Sequence, residues 1–360
     1  LDYGETNFGI ANIECRFSTE NGVVYKSNSK TDGLFGLFYF DELPLFDKST
    51  EDILDNYVGE EVRFHEYNII PLGDYDNYIT NGGNKKKLSW NNHVSVKGDK
   101  IIKTPFSGND VLCEMDWYVH SPKKLTEHLP TDFWTDGKSI SMEKCSGIVN
   151  DNGWSHDQHF WTRAVPELLE NLHQEMVEVD KAECVELYLK KPTRRLMESS
   201  NILKCVDKNV KVKIGEFSEK VYGEIPLPDY FTWVHYDLTL SNMVVDNYHI
   251  KLIDPKGVFY GDPRYDIAKL FYSISGFEHI KNGEYSIHFN NGKWELEHGQ
   301  YHSPYIDWFK DWSMEKYGID KKTMNAMLAG IWLSACGFFL YDPMMVIACY
   351  LKYMELGRWT

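Results

Sequence analysis

Along the 360 residues, apolar and polar positions change their period, and the changes divide the chain into three stretches. Residues 1–80 carry short strand-like runs. Asn21-Gly22 opens GVVYK, Leu34 to Phe40 is an apolar run interrupted by Gly36, and Thr50 to Glu60 has the pattern of a short acidic helix. The polar turn Asn81-Gly82-Gly83-Asn84, followed by Lys85, Lys86 and Lys87, reads as a boundary. Beyond it, LSWNNHVSVKGDKIIKTPF predicts two or three antiparallel strands about a tight turn at Lys97-Gly98-Asp99-Lys100, with Ile101, Ile102 and Lys103 on the returning strand. A helix is expected after Ser107 or Asn109. It carries VLCEMDWYV, with Val111, Met115 and Tyr118 on one side and Glu114 close by. Asp132 to Thr135 and Ser139 to Glu143 are further strand candidates, and Lys144 to Gly147 is a connector.

From residue 148 the period turns mainly helical. Ser155 and Gln158 have the spacing of a capping box for a helix reaching Leu172, and Glu175 to Lys190 reads as a second helix. Residues 204–217 are ambiguous. From Tyr305 onward helices return, with Asp342-Pro343 as a break between two of them. A strand-rich part at 81–147 that leads into a helix-rich part at 148–360 predicts an α+β architecture with a ligand cleft between the two.

One stretch departs from both periods. VHYDLTLSNMVVDNYHIKLIDPKG, Val234 to Gly257, crowds histidines, aspartates and asparagines around two short apolar runs. Met243 to Val245 and His249 to Ile253 pair as a hairpin across a turn at Asp246-Asn247, so Asn242 and Asp254 come together although twelve positions separate them. Asp237 lies in the loop leading into Asn242. Alone, each such residue is an ordinary turn or cap. Together, two carboxylates and an amide at the base of a cleft suit a hard cation such as magnesium, which takes few protein ligands when phosphate oxygens supply the others.

VHYDLTLSNMVV, KLIDPKG and GDPRYDIAKL resemble the protein-kinase-like small-molecule phosphotransferases, the group that includes aminoglycoside phosphotransferases, choline kinases and fructosamine kinases. The resemblance is strong over 234–272, moderate in element order over 88–275 and poor over 1–80. It implies a bilobal kinase-like fold with a strand-rich N-terminal lobe and a helix-rich C-terminal lobe, preceded here by a small α/β or β-rich extension. It implies ATP and Mg2+ as cofactors, Asp237 as base or substrate orienter, and Asn242 and Asp254 as metal ligands. His235 would brace the loop, and Asp266 would support it from the helix that Asp262 caps. By the same order of elements, Lys103 meets the nucleotide phosphates with Glu114 as its partner, and Glu143, Lys144 and Cys145 form the adenine-side connector. The chemistry agrees, because phosphoryl transfer needs an oriented hydroxyl, an acceptor for its proton and cations against the transferred charge. Lys256 and Arg264 are further candidates for phosphate, weighed against solvated surface charge.

Three departures stand out. Tyr236 occupies a position where the small-molecule families often have glycine. Asp254 is followed by Pro255-Lys256-Gly257 in place of the Phe-Gly of protein kinases, which favours a small acceptor. No G-x-G-x-x-G precedes Lys103, so Ser89 to Val94 would have to cover the phosphates with asparagine and backbone donors.

The net charge of −16 argues against broad contact with nucleic acid or anionic lipid, while leaving room for a local basic pocket. Seven cysteines lie scattered with no C-x-x-C, as expected of core thiols in a reducing compartment, and the longest apolar stretch, Ala326 to Tyr341, is short for a membrane span. The chain is therefore expected to be cytoplasmic, and because it opens on Leu1 its native start is expected upstream.

Gly153 to Trp161 and Tyr305 to Trp312 offer aromatic and polar groups for the acceptor, weighed against core packing; a sugar-like hydroxyl is favoured over choline or a protein side chain. GLFGLFYF and PLGDYDNYI resemble the late part of bacterial sugar-nucleotidyltransferase chains. That implies an upstream nucleotidyltransferase module and a link to capsule or surface-polysaccharide synthesis. Two alternatives to a kinase stand beside it: a noncatalytic nucleotide-binding module, and an enzyme that transfers a nucleotidyl group.

Overall fold

The computed structural model describes five strands within residues 1–90, and then residues 92–105, 111–149, 157–210, 214–215, 221–290, 292–340 and 342–356. The expected acidic helix at 50–60, the boundary turn at 81–87, PLGDYDNYI, residues 89–91 of the phosphate-covering segment, and Ser107, Asn109 and Ser155 lie outside the described residues. By internal contacts the chain forms two units, Leu1–Trp90 and Asn91–Thr360.

In the first unit, β1 (Asn7–Ala11), β2 (Phe17–Glu20), β3 (Val23–Lys26), β4 (Gly33–Tyr39) and β5 (Arg63–Glu66) form one sheet in the order β3-β2-β4-β1-β5. Here β2 and β3 pair antiparallel, and β5 joins β1 in parallel.

The second unit has a strand-rich lobe followed by a helix-rich one. β6 (Asn92–Lys97), β7 (Lys100–Pro105), β8 (Trp134–Thr135) and β9 (Ile140–Glu143) make a sheet in the order β6-β7-β9-β8. The two-residue turn at Gly98-Asp99 needs a left-handed residue, which Gly98 supplies at φ +64°. It sets the register that places Lys103 between Val94 and Ile140 on a central strand. The helix Val111–His120 follows, and its buried side is formed by Val111, Trp117 and Tyr118, with Met115 only partly covered.

The connector ends in β10 (Ile148–Val149), which adds to the hairpin of β12 (Met243–Asp246) and β13 (His249–Leu252); β11 (Thr232–Trp233) pairs with β14 (Tyr260–Gly261). Gly147 makes this crossing at φ +115°, where an added Cβ would lie 2.5 Å from the Val245 carbonyl oxygen.

Helices build the rest. One runs on from a wide turn at Phe160–Ala164 into Val165–Leu172, and its start is capped by Asp157, whose carboxylate accepts from the Phe160 N–H. The helix expected from Glu175 begins at Lys181 instead, because Asp180 caps the Ala182 N–H. It continues past Lys190 as Lys191–Leu203 despite Pro192. A wide turn at Glu186–Lys190, closed by the Lys191 N–H on the Glu186 carbonyl, accommodates the missing proline donor. Pro263–Tyr272, Pro304–Lys316, Lys321–Phe338 and Pro343–Leu356 complete the lobe.

Trp161, Tyr272, Phe309 and Trp332 are fully buried at its centre, where each enclosed Leu or Phe contributes roughly 1.5–3 kcal/mol. A hairpin, β15 (Tyr285–Asn290) with β16 (Lys293–His298), stands beside these helices. No described helix is long and apolar enough to cross a membrane. Cys145, Cys184, Cys205, Cys336 and Cys349 are free thiols.

Candidate active site

Lys103 sits on β7 facing the helix Val111–His120, and both lobes converge on its ammonium. Nζ donates to Glu114 Oε2 at 2.6 Å and to Asp254 Oδ1 at 2.7 Å, with only 8% of the residue exposed. Burial opposes the charge on Lys103, but Asp254 and Glu114 outweigh it and raise the ammonium above its usual range. Two carboxylates share this one cation unequally. Burial pushes Glu114 up despite Lys103, whereas at Asp254 burial is overcome by Lys103 and Lys256 and the carboxyl is lowered.

The same helix reaches the loop at Val234 and the residue Asp254 through its other side chains. Trp117 Nε1 donates to the Val234 carbonyl at 2.8 Å, and the Asp254 N–H donates to the Tyr118 hydroxyl at 3.2 Å. Asp254 is held at φ +62°, a left-handed conformation that costs a non-glycine residue about 1–2 kcal/mol. Gly257 closes the turn at φ +70°, pressed so near Cys113 that an added Cβ would lie 2.7 Å from its Cβ.

Asp266 is fully buried and organises the loop. Its two oxygens accept from the His235 N–H at 2.8 Å and the Tyr236 N–H at 2.7 Å, and His173 Nε2 lies 3.2 Å from Oδ2. His173 is itself anchored by the Tyr317 hydroxyl at 2.6 Å. The His235 ring bridges the ends of the hairpin, with Nε2 3.0 Å from the Ile253 carbonyl and Nδ1 accepting from the Asp237 N–H at 3.3 Å. These partners define a neutral imidazole protonated at Nε2. Burial holds it below the ordinary histidine value against the pull of Asp266 and Asp237. Tyr236 takes φ +60°, and its ring turns onto Gly261, whose lack of a side chain makes room for the phenol, and against Tyr265 at 5.3 Å between centroids.

Asp237 carries two lysines. Lys256 Nζ lies 2.9 Å from Oδ2 and Lys269 Nζ 2.8 Å from Oδ1. Burial would raise this carboxyl, but Lys256 and Lys269 outweigh it and hold it well below the usual carboxylate range. Asn242 donates from Nδ2 to the Asp237 carbonyl at 2.7 Å, while its own backbone carbonyl accepts from the Ile253 N–H. The amide is thereby oriented with Oδ1 as the atom left for a cation. Among the described residues no group of three or more His, Cys, Asp or Glu could hold a metal ion. A cation held by Asn242 and Asp254 would have to draw most of its ligands from phosphate and water. The loop is held from below as well: the Leu240 N–H donates to Ser273 Oγ at 2.9 Å, Ser273 bonds to the buried Glu278, and Lys281 donates to Ser241 Oγ at 2.8 Å.

Of the residues expected from sequence, Lys103, Glu114 and Asp254 meet directly, and His235, Asp237, Asn242 and Asp266 form one connected network with Asp254's strand. In the connector, the Glu143 carboxylate and two N–H groups have partners within the protein. Glu143 turns its carboxylate to the Thr131 hydroxyl at 2.6 Å and to Lys251 at 3.6 Å, and the backbone N–H groups of Glu143 and Lys144 already donate to Thr131 and Asp99 carbonyls. Cys145 is half-buried beside Lys251 and Glu143. Arg264 is not at the cleft: it clamps Asp262 through Nε at 2.9 Å and Nη2 at 2.7 Å. Sequence reasoning missed Lys269, His173 and Ser273. Lys269 alone had a local signal, standing one helical turn beyond Asp266.

Residues 158–286 match the model of the APH phosphotransferase enzyme family. Among curated proteins none matches the chain. Solved structures similar to this chain include a choline/ethanolamine kinase family protein from Mesorhizobium loti, 12% identical over 74% of this chain and 85% of that one, with a TM-score of 0.48. A choline kinase from Cryptosporidium parvum is 11% identical over 75% and 87%, also at 0.48. A thermostable mutant of the aminoglycoside phosphotransferase APH(4)-Ia, in complex with ADP and hygromycin B, is 11% identical over 74% and 93%, at 0.45. The resemblance seen in the Val234–Leu270 stretch thus extends, by the family match, over 158–286.

Proposed function

We propose, taking residues 158–286 as phosphotransferase-family sequence, that the protein is a kinase of small molecules that moves the γ-phosphoryl group of ATP to a hydroxyl of a polar, sugar-like metabolite. The observation that carries this reading is the Lys103 ammonium held between Glu114 and Asp254, with Asp237 and Asn242 braced on the same hairpin. Such a bridge fixes a cation from the first lobe beside a carboxylate of the second, which is where nucleotide phosphates need opposing charge. It also supports activity over a noncatalytic module, since every charged group the transfer requires is present.

In this reading the acceptor hydroxyl, oriented by Asp237, attacks the γ-phosphorus. A new O–P bond forms as the bond to the β-phosphate oxygen breaks, the hydroxyl proton passes to the Asp237 carboxylate, and ADP leaves. Asp237 is a weak base because Lys256 and Lys269 stabilise its charge. A loose transition state asks little of a base before the P–O bond to ADP is largely broken, so orientation is the larger part of its role. Asn242 and Asp254 would hold magnesium, which supplies charge neutralisation on the phosphates. His235 and Asp266 position the loop without touching substrate.

The test is nucleotide binding followed by turnover. Lys103→Met is expected to weaken ATP binding, and Asp237→Asn to leave ATP binding intact while lowering phosphorylation about 10²–10⁴-fold. Wild-type protein failing to bind ATP with magnesium, or ATP binding and phosphorylation unchanged in both variants, would overturn the proposal.

A further inference from the structure

Lysines outnumber accessible carboxylates at the acceptor end of the loop. Asp237 already holds Lys256 and Lys269. A third lysine, Lys191, enters from the first position after the wide turn that Pro192 imposes on its helix. It is half-buried, its Nζ lies 5.8 Å from the Tyr265 ring centroid, and among the described residues it forms no ion pair. Tyr265 packs in turn on Tyr236, the residue before Asp237, so two ring contacts link Lys191 to the loop that carries Asp237.

We propose that the acceptor, on the kinase reading above, is an anion whose carboxylate or phosphate group pairs with Lys191 and Lys256 while its hydroxyl lies on Asp237. An ammonium without an ion pair, within electrostatic reach of Lys256, is costly to cover with substrate unless a negative group joins it. When an acceptor hydroxyl approaches Asp237, Lys256 or Lys269 must also give up part of its contact with that carboxylate, and an anionic ligand replaces it. An amino sugar or amino alcohol would instead bring a cation against these lysines, a like-charge contact that selects against it.

The electrostatics of Lys191 agree. Burial, then Lys256, pushes its ammonium down to about 8, with Arg195 adding to the fall and Asp237 and Glu183 opposing it. These groups face it from the loop after Asp254, from its own helix, from the catalytic loop and from the helix Lys181–Val185. Glu183 is a poor counter-ion, since burial raises its own carboxyl. Because Lys191 pairs with an anion only when protonated, KM for the acceptor rises as pH passes above about 8.

The experiment reads Lys191 directly. The full-length protein is treated with an amine-acylating reagent at pH 8 and modification of Lys191 is followed by peptide mass spectrometry. Three sets of probes are compared as protectants: glucuronate, glucose 6-phosphate, glucose and glucosamine; glycerate, glycerol and ethanolamine; and inorganic phosphate alone. Protection by acidic hydroxy compounds above their neutral and amino counterparts is expected, and the carboxylate and phosphate members identify which group is read. Protection by amino or neutral members to the same extent, or by none, overturns the proposal.

In parallel, Lys191→Met should cut kcat/KM for an acidic acceptor about tenfold or more, through KM, and Lys191→Arg should restore most of it, as expected for one lost charge pair. Phosphorylation of neutral or amino members that ignores Lys191 would sink the charge assignment and keep the kinase. Protection by acids without any ATP-dependent phosphorylation would do the reverse.

Discussion

At the scale of single residues, Asp266 explains why the loop before Asp237 keeps its shape. Its buried carboxylate takes the N–H groups of two consecutive residues, one of them in the left-handed conformation. Hydrogen bonds to a charged group contribute about 1.5–3 kcal/mol each, so Asp266→Ala should lower the unfolding free energy by about 3 kcal/mol or more in urea titrations. His235 yields a prediction in pH. Its folded-state value is depressed by burial, so the stability it confers is full above the unfolded value of about 6.5 and is lost as pH falls through that value towards the folded one. Thermal midpoints should decline as pH falls below about 6.5, and His235→Gln should flatten that decline.

His235, Asp237, Asn242, Asp254 and Asp266 were legible in the sequence because one hairpin and one helix start carry them all, so local spacing fixes their meeting. Lys191 was not, and Lys269 offered only its place one turn beyond Asp266, since a lysine on a helix looks the same whether it faces solvent or a carboxylate. His173 reaches Asp266 across 93 positions, and nothing local announces that contact.

At the scale of elements, the helix Val111–His120 couples the lobes: Glu114 meets Lys103, Trp117 meets the catalytic loop, and Tyr118 meets the Asp254 backbone. Gly257 is the point where the loop after Asp254 touches this helix. Gly257→Ala would place a Cβ 2.7 Å from that of Cys113 at φ +70°. The left-handed conformation alone costs about 1–2 kcal/mol there, and the displaced helix should raise KM for ATP more than it changes kcat at saturation, measurable by steady-state kinetics.

Strand positions around Gly98 and the helix break at Pro343 followed the pattern well, because turn chemistry and proline are local. The helix through Pro192 was expected to stop at Lys190, since a wide turn that rescues a proline leaves no mark on hydrophobic spacing. The hairpin of β15 and β16 went unread although Asn290-Asn291-Gly292 joins two alternating runs; Gly292 takes φ +77° there.

At the scale of the whole molecule, a chain of net charge −16 brings Lys103, Lys256, Lys269 and Lys191 around Asp237 and Asp254 in its second unit. Ammonium groups set among those carboxylates are what a phosphate donor requires, and the net negative charge disfavours polyanions. ATP with magnesium should raise the thermal midpoint, since a ligand at a hundredfold its Kd adds about 2.7 kcal/mol to stability, and Lys103→Met should abolish the shift.

The most direct test of the central claim is product-resolved mass spectrometry after incubation with ATP, magnesium and a pool of sugars, sugar acids, amino alcohols and polyols, alongside Asp237→Asn and Asp254→Asn. A phosphate-sized gain on one acceptor, greatly reduced by both substitutions, is the predicted result. A nucleotidyl-sized adduct, or a phosphate gain indifferent to both, would contradict the account.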